Sequence, residues 1–177
     1  IYSYQIQAIT PDGAGPTATT DRLVMGPALT VPYRCNFATD DQFALWNVID
    51  ANNDEYTWKR ETTLAAAYYY YNEDGETGGD DWLVSSPIHL EKNKIYRLKF
   101  KLQSYDVGYP EKVAVHLGTG ASVAEQTTLL GDYEVESNTF VEYKVILPER
   151  LESGNYHISF HCHSEPYMFC LLYTSPS

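Results

Sequence analysis

Apolar and polar residues alternate along much of the chain with the two-residue period of a β-strand. The alternation is clearest over residues 96–102 and 112–117, where aliphatic and aromatic side chains are interleaved with arginine, lysine and histidine. Successive side chains of a strand point to opposite faces, so each of these strands has one buried and one solvated face. Similar patterns predict strands at 126–133, 140–147, 156–163 and 169–173. Turn residues recur between them at short intervals, which favours an all-β sandwich.

Residues 78–90 carry the most informative pattern in the chain. Two glycines and two aspartates predict a tight turn, and an aromatic and aliphatic strand follows it until Pro87 interrupts the ladder. Neighbouring residues of a strand point apart, so Asp80 and Asp81 are predicted to build the turn rather than to act as a catalytic pair. The core side chains predicted for this stretch are Trp82, Val84, Ile88 and Leu90.

The first 26 residues predict a separate β-hairpin. Residues 2–8 alternate as a strand, residues 11–16 form a turn rich in glycine and proline, and residues 17–24 give a second strand. Two strands do not form a stable core of their own. We therefore predict a fragment at 1–26, a linker at 27–32 and the main domain at 33–177.

The main domain is predicted to begin with a strand and one short helix. Tyr33, Cys35 and Phe37 alternate as one face of the strand. Thr39 is a suitable N-cap for the helix, and the two aspartates after it lie near the positive end of the helix dipole. Residues 47–58 predict a strand that leads into an oxygen-rich loop, and residues 63–71 predict another strand.

The amino-acid composition limits the classes of partner that the chain can have. The chain carries a formal net charge of −12, and binding to nucleic acid needs a clustered basic surface, so nucleic acid is excluded as a partner. It has no run of ~18 apolar residues, so membrane insertion is not predicted. The 16 tyrosines are typical of an all-β protein, because aromatic side chains suit a pleated, half-buried surface.

The three cysteines do not make a disulfide framework, and an odd number leaves at least one thiol unpaired. Cys162 and Cys170 flank a predicted hairpin turn at 164–167, which would place them opposite each other and permit a disulfide. Three buried free thiols are the favoured alternative, since free cysteine behaves as a small apolar residue.

An acidic loop is the candidate metal site. Asp50, Asn52 and Asp54 offer side-chain oxygens at alternate positions, as loops that bind calcium do. The glycine and the glutamate that an EF-hand requires at its sixth and twelfth positions are absent. The alternative is a turn in which these side chains bind their own backbone.

Tyrosines are the candidate ligand-binding residues. A strand over residues 68–71 would place two rings on each face, with Tyr69 and Tyr71 on the same face. One such pair can belong to the core and the other can form an aromatic platform for a sugar. Tyr105, Tyr109 and Tyr167, in predicted loops, are further candidates. The alternative is that these rings are ordinary surface tyrosines.

Three histidines share one face of the last long predicted strand. His157, His161 and His163 alternate with apolar residues, and same-face neighbours lie ~6.5 Å apart, so two of them can chelate a soft metal such as zinc together with a third ligand. The favoured alternative is a polar face that contacts other side chains. No motif of a serine hydrolase, a zinc protease or a phosphate loop is present, so the chain is not predicted to be an enzyme.

Three segments, in order, resemble the cleaved adhesin family, the modules of gingipain-type haemagglutinin regions. They are residues 80–90, 96–100 and 115–119, and they follow Trp46 and an acidic loop that ends at Trp58. The resemblance implies a jelly-roll β-sandwich of the galactose-binding or carbohydrate-binding-module type. Residues 1–26 resemble the last two strands of a fibronectin type III domain, a module that often precedes cleaved adhesin domains.

The resemblance also implies a function. It indicates a non-catalytic adhesion or carbohydrate-binding module of an exported bacterial protein, secreted or on the cell surface, that binds a glycan or a host surface protein and follows upstream domains of the same chain. Structural calcium is implied too, although Ala38 and Thr174 stand where many members carry an acid. The open alternative is a structural spacer, or an accessory domain of a protease or glycosidase.

Overall fold

The computed structural model describes residues 5–10, 13–19, 27–69, 77–149, 151–168 and 170–173. This part of the chain is built from antiparallel strands, one short helix α1 (Asp40–Phe43) and a 3-10 turn at Val123–Glu125. The strands are β1 (Gln5–Thr10), β2 (Gly13–Thr19), β3 (Trp46–Asp50), β4 (Trp58–Glu61), β5 (Ala66–Tyr69), β6 (Asp81–Ser85), β7 (Ile88–Leu90), β8 (Arg97–Ser104), β9 (Glu111–Gly118), β10 (Thr128–Val135), β11 (Val141–Ile146), β12 (Gly154–Cys162) and β13 (Cys170–Tyr173).

Two sheets face each other. Sheet A has the strand order β10-β9-β12-β6-β3, with β7 also paired to β12, and sheet B has the order β11-β8-β13-β5-β4. Apart from the pairs β9-β10 and β4-β5, neighbours in each sheet are not consecutive in sequence, so the chain crosses repeatedly between the sheets. This topology confirms the predicted all-β jelly-roll sandwich. β1 and β2 pair with each other as the predicted hairpin, but β2 already begins at Gly13, so the turn is shorter than predicted.

Aromatic and aliphatic side chains from both sheets fill the space between them. Phe160 of sheet A meets Phe100 of sheet B edge to face, with ring centroids 5.2 Å apart. Leu83 and Val115 from sheet A and Leu172 from sheet B are buried in the same cluster. The predicted alternation of β8, β9 and β12 is confirmed, because their apolar residues supply this core.

The segment before the helix is buried without forming a strand. Cys35 and Phe37 lie in the core, as predicted, but Phe37 has a φ of 52° and turns the chain toward α1, so the predicted strand is wrong. Its ring contacts Trp46 at a centroid distance of 5.4 Å. The predicted cap is confirmed, since the Thr39 hydroxyl accepts a hydrogen bond from the backbone N–H of Gln42 at 3.3 Å.

Strand β6 is buried on both faces. Leu83 points into the core between the sheets, whereas Trp82 and Val84, although buried, lie outside that core cluster on the opposite face of sheet A. Their predicted burial is confirmed, and the face that they occupy is the outer face of sheet A. The ladder does break before Pro87, and β7 resumes the pattern with Leu90 in the core, as predicted.

The segment after β12 crosses between the sheets. β12 belongs to sheet A and β13 to sheet B, so residues 163–168 do not close the predicted hairpin, and that prediction is wrong. All three cysteines are buried free thiols, in agreement with the favoured alternative. Burial raises the pKa of the Cys162 and Cys170 thiols well above the ordinary value.

Part of the predicted linker docks on the sandwich. Leu29 forms a parallel bridge with Ile88. Its N–H donates to the Pro87 carbonyl at 2.7 Å, and its carbonyl accepts from the His89 N–H at 2.8 Å. The proposed domain limits remain predictions.

No helix in the described part of the chain is long and apolar enough to cross a membrane.

Candidate functional site

Several loops meet at one end of the sandwich, which we call the loop end. They comprise residues 51–57, 77–80, 105–110, 136–140 and 163–168. Backbone hydrogen bonds join them: the Gly79 N–H donates to the Ser164 carbonyl at 2.9 Å, and the Ser104 N–H donates to the Ser137 carbonyl at 2.9 Å. The first bond ties loop 77–80 to loop 163–168, the second ties the end of β8 to loop 136–140, and the strand order places all five loops at this end of the sandwich.

Exposed tyrosine rings lie at the loop end. Tyr105, Tyr109 and Tyr167 are each more than half exposed, and the loops that carry them flank the start of β9 and the end of β12. Tyr69 is only 2% exposed and packs against Trp58 in the core, so its prediction as a platform ring is wrong. Tyr71 lies outside the described residues.

The acidic loop at the loop end folds as a turn around its own carboxylates. Asp50 accepts hydrogen bonds from the backbone N–H groups of Asp54 and Glu55, at 3.3 and 2.9 Å. Asp54 accepts from the Tyr56 N–H at 2.9 Å and from the Asn52 amide at 3.2 Å. The two carboxylates are thus used as the alternative interpretation of the sequence describes.

Unsatisfied oxygens remain beside this turn. Asn52 Oδ1 and Asp81 Oδ1 are buried and have no hydrogen-bond partner. Burial raises the pKa of Asp81 to about 7, and the negative charges of Asp50 and Asp54 add to the shift. Carboxylate and amide oxygens are the donors that calcium prefers. The donor set therefore has the right chemistry, but no three His, Cys, Asp or Glu side chains of the described residues are arranged to hold a metal ion.

A second buried carboxyl fastens the loop after β12. Glu111, at the start of β9, accepts a hydrogen bond from the Ser164 hydroxyl at 2.6 Å, while its other oxygen has no partner. The same hydroxyl oxygen accepts from the Lys112 N–H at 2.9 Å. Burial raises the pKa of Glu111 to about 8. A neutral carboxyl group therefore holds this junction at neutral pH.

The outer face of sheet A carries a cluster of aromatic and ionisable side chains. The His161 ring stacks on Trp82 with centroids 4.0 Å apart and an interplanar angle of 8°. His161 Nε2 lies 2.8 Å from Asp80 Oδ1, and His163 Nε2 lies 2.8 Å from Asp132 Oδ1. Burial lowers the pKa of His161 despite the opposing effect of Asp80.

This cluster bears on the predicted histidine site. His161 and His163 do share a face, and their ring centroids are 5.4 Å apart. Each Nε2 faces a different carboxylate, which agrees with the polar-face alternative, and zinc binding remains a prediction. The sequence did not identify Trp82, Asp80 and Asp132 as partners, because that requires the register of β6, β9, β10 and β12.

The geometry defines the class of protein: a jelly-roll β-sandwich with a tyrosine-bearing loop end. No protein-family model matches the sequence, and a search of curated proteins found no match. Among solved structures, the chain is similar to the K1 cleaved adhesin domain of Lys-gingipain from Porphyromonas gingivalis W83, with 22% identity, a TM-score of 0.59 and coverage of 73% of this chain and 88% of that one.

Two further structures are similar. The K3 cleaved adhesin domain of the same gingipain has 18% identity and a TM-score of 0.62, and the match covers 80% of this chain and 95% of that one. A structure described as a CBM4 has 15% identity and a TM-score of 0.51, with coverage of 73% and 83%. The chain therefore has the fold of the cleaved adhesin domains, as the sequence resemblance predicted.

Proposed function

We propose that the protein is a non-catalytic module that binds glycan through the loop end. The observation that carries this proposal is the exposure of Tyr105, Tyr109 and Tyr167 on two loops that flank the same end of the paired strands β9 and β12. Exposed aromatic rings offer flat apolar faces, and their hydroxyl groups and nearby backbone groups can orient a polar ligand. The fold shared with adhesin and carbohydrate-binding domains supports this choice of ligand class.

A glycan array followed by calorimetry tests the proposal. The wild-type chain is expected to bind a subset of glycans, and the variant Tyr105→Ala/Tyr109→Ala/Tyr167→Ala is expected to lose at least tenfold in affinity, since each stacked ring contributes roughly 0.5–1.5 kcal/mol. Ile95→Ala is the control, because Ile95 is a 74% exposed apolar residue in the connection between β7 and β8, away from the loop end. Unchanged binding by the tyrosine variant would refute the proposed site.

The alternative function is a structural spacer, or an accessory domain of a protease or glycosidase. A host surface protein in place of a glycan is the second binding partner to test on the same variants. A chain that binds neither glycans nor surface proteins would favour the spacer. We place the protein outside the cell, on a bacterial surface or secreted, and joined to upstream domains, because the proposed ligands are encountered there.

We also propose that calcium stabilises the acidic loop. The support is the unpartnered Asn52 and Asp81 oxygens next to the carboxylates of Asp50 and Asp54. A divalent cation would offset the repulsion among these acids. In thermal unfolding, the wild type is expected to have a higher Tm with millimolar calcium than with chelator. The Tm of Asp54→Asn is expected to be the same in both conditions. An equal Tm with calcium and with chelator would exclude the proposal.

A further inference from the structure

A cleft of about 640 Å³ opens between the two sheets at the end opposite the loop end, where β8 and β12 begin and β9 ends. Pockets of ~300–1,000 Å³ are the size that small-molecule ligands occupy. Neither the tyrosines of the loop end nor the histidine cluster line it. The cleft is therefore a separate site from the proposed glycan surface.

The walls of the cleft contain both apolar and polar side chains, and its rim exposes apolar ones. The walls include Leu90, Leu117 and Ile158, which belong to the core cluster. At the rim, Ile95 is 74% exposed and Ile146 is 52% exposed. A long aliphatic group that enters between the sheets would cover these residues and remove apolar surface from water.

The charge around the cleft is opposite to that of the whole chain. Arg34, Arg97 and Lys99 line it, and none of its described lining residues is acidic, although the chain has 24 acids and only 12 arginines and lysines. Lys144 of β11 lies opposite Lys99 of β8, but it is paired with Glu142 at 2.8 Å and adds no net positive charge. Such a group of cations attracts an anionic head group.

We propose that the cleft binds a medium-chain aliphatic carboxylate. The hydrocarbon tail lies between the sheets against Leu90 and Ile158, and the carboxylate is held at the mouth by Arg97 and Lys99. An arginine can bind a carboxylate through two parallel hydrogen bonds, so a carboxylate head suits this mouth. The site is independent of the glycan surface, and either can fail without the other.

Calorimetry with octanoate, decanoate and decanol tests the ligand chemistry. Decanoate is expected to bind with one molecule per chain, and each added methylene is expected to tighten binding about fourfold, because burying one contributes roughly 0.8 kcal/mol. Decanol, which lacks the charge, is expected to bind at least tenfold more weakly. Equal affinities for decanol and decanoate, or no binding of decanoate, would overturn the proposal.

Two exposed residues provide matched variants for locating the site. Ile95→Glu places a negative charge at the rim and is expected to weaken decanoate binding at least tenfold. Val107→Glu makes the same change in charge at a residue that is 64% exposed at the loop end, and it is expected to leave binding unchanged. Both positions are on the surface, so both variants are expected to keep the wild-type Tm. Equal effects of the two variants would show that decanoate does not bind in the cleft.

Discussion

Replacing Glu111 with glutamine is expected to remove much of the loss of stability that the protein suffers as the pH rises. Glu111 is 0% exposed, and burial raises its pKa from 4.5 to about 8. One of its oxygens accepts from Ser164 and the other has no partner. Glutamine has the same shape as the protonated acid and can keep the acceptor for Ser164.

The direction and the magnitude of this change in stability follow from the pKa of Glu111 in the unfolded chain and in the folded chain. Below pH 4.5 the side chain is protonated in both the folded and the unfolded chain, so its ionisation does not affect stability. Between pH 4.5 and 8 the Glu111 carboxyl is ionised in the unfolded chain while it is still protonated in the folded chain. This difference lowers the free energy of the unfolded state relative to that of the folded state. The folded protein therefore loses stability over this window and reaches a plateau above it. At pH 7 the loss is about 3 kcal/mol, from a difference of roughly 2.5 pH units at 1.36 kcal/mol each.

Urea unfolding at pH 5, 6, 7 and 8 measures this effect. The free energy of unfolding of Glu111→Gln, minus that of the wild type, is expected to increase over this range by more than about 2 kcal/mol. The reason is that the range covers most of the interval between the two pKa values of Glu111. Glu149→Gln is the control, because it makes the same replacement at an exposed position. The other ionisable groups are the same in all three chains, so their contributions cancel in the difference. Equal pH dependence of Glu111→Gln and the wild type would refute the reasoning.

Three further predictions concern other groups. The three buried cysteines are expected not to react with a thiol reagent in the folded protein and to react fully in urea, and rapid labelling of the folded chain would contradict their burial. Tryptophan emission is expected to decrease with falling pH only below pH 6.5, because the imidazolium of His161 quenches the stacked ring of Trp82 and burial lowers its pKa; His161→Gln should abolish the decrease. Thr39→Ala is expected to lower the free energy of unfolding by about 1 kcal/mol through loss of the helix cap, and Thr127→Ala, at an exposed position outside any helix, should change it less.

The strands were predictable because alternation encodes the faces of a strand. It identified β8, β9, β11 and β12 to within a few residues. It left the orientation of β6 undecided, because all five residues are buried and the pattern carries no information on which face meets the core. It failed at residues 164–167, since a turn within one sheet and a crossing between two sheets use the same residue types.

The candidate site was predictable only in part. Loop tyrosines can be identified from sequence, and Tyr105, Tyr109 and Tyr167 were. The placement of their loops at one end of the sandwich depends on the strand order. Tyr69 was misassigned because a ring on a strand looks the same in sequence whether it faces the core or the solvent. The Asp80–His161 contact joins residues 81 positions apart, which local patterns cannot detect.

The anchoring of Ser164 affects how much conformational entropy the loop that carries Tyr167 would lose on binding a ligand. Ser164 is buried and held by Glu111, by the Lys112 N–H and by the Gly79 N–H, and the chain enters β13 only six residues later, at Cys170. A loop fixed so close on both sides has few conformations to lose when a ligand arrives. The entropic penalty of association is correspondingly small, so even a weak set of stacking contacts can yield measurable affinity.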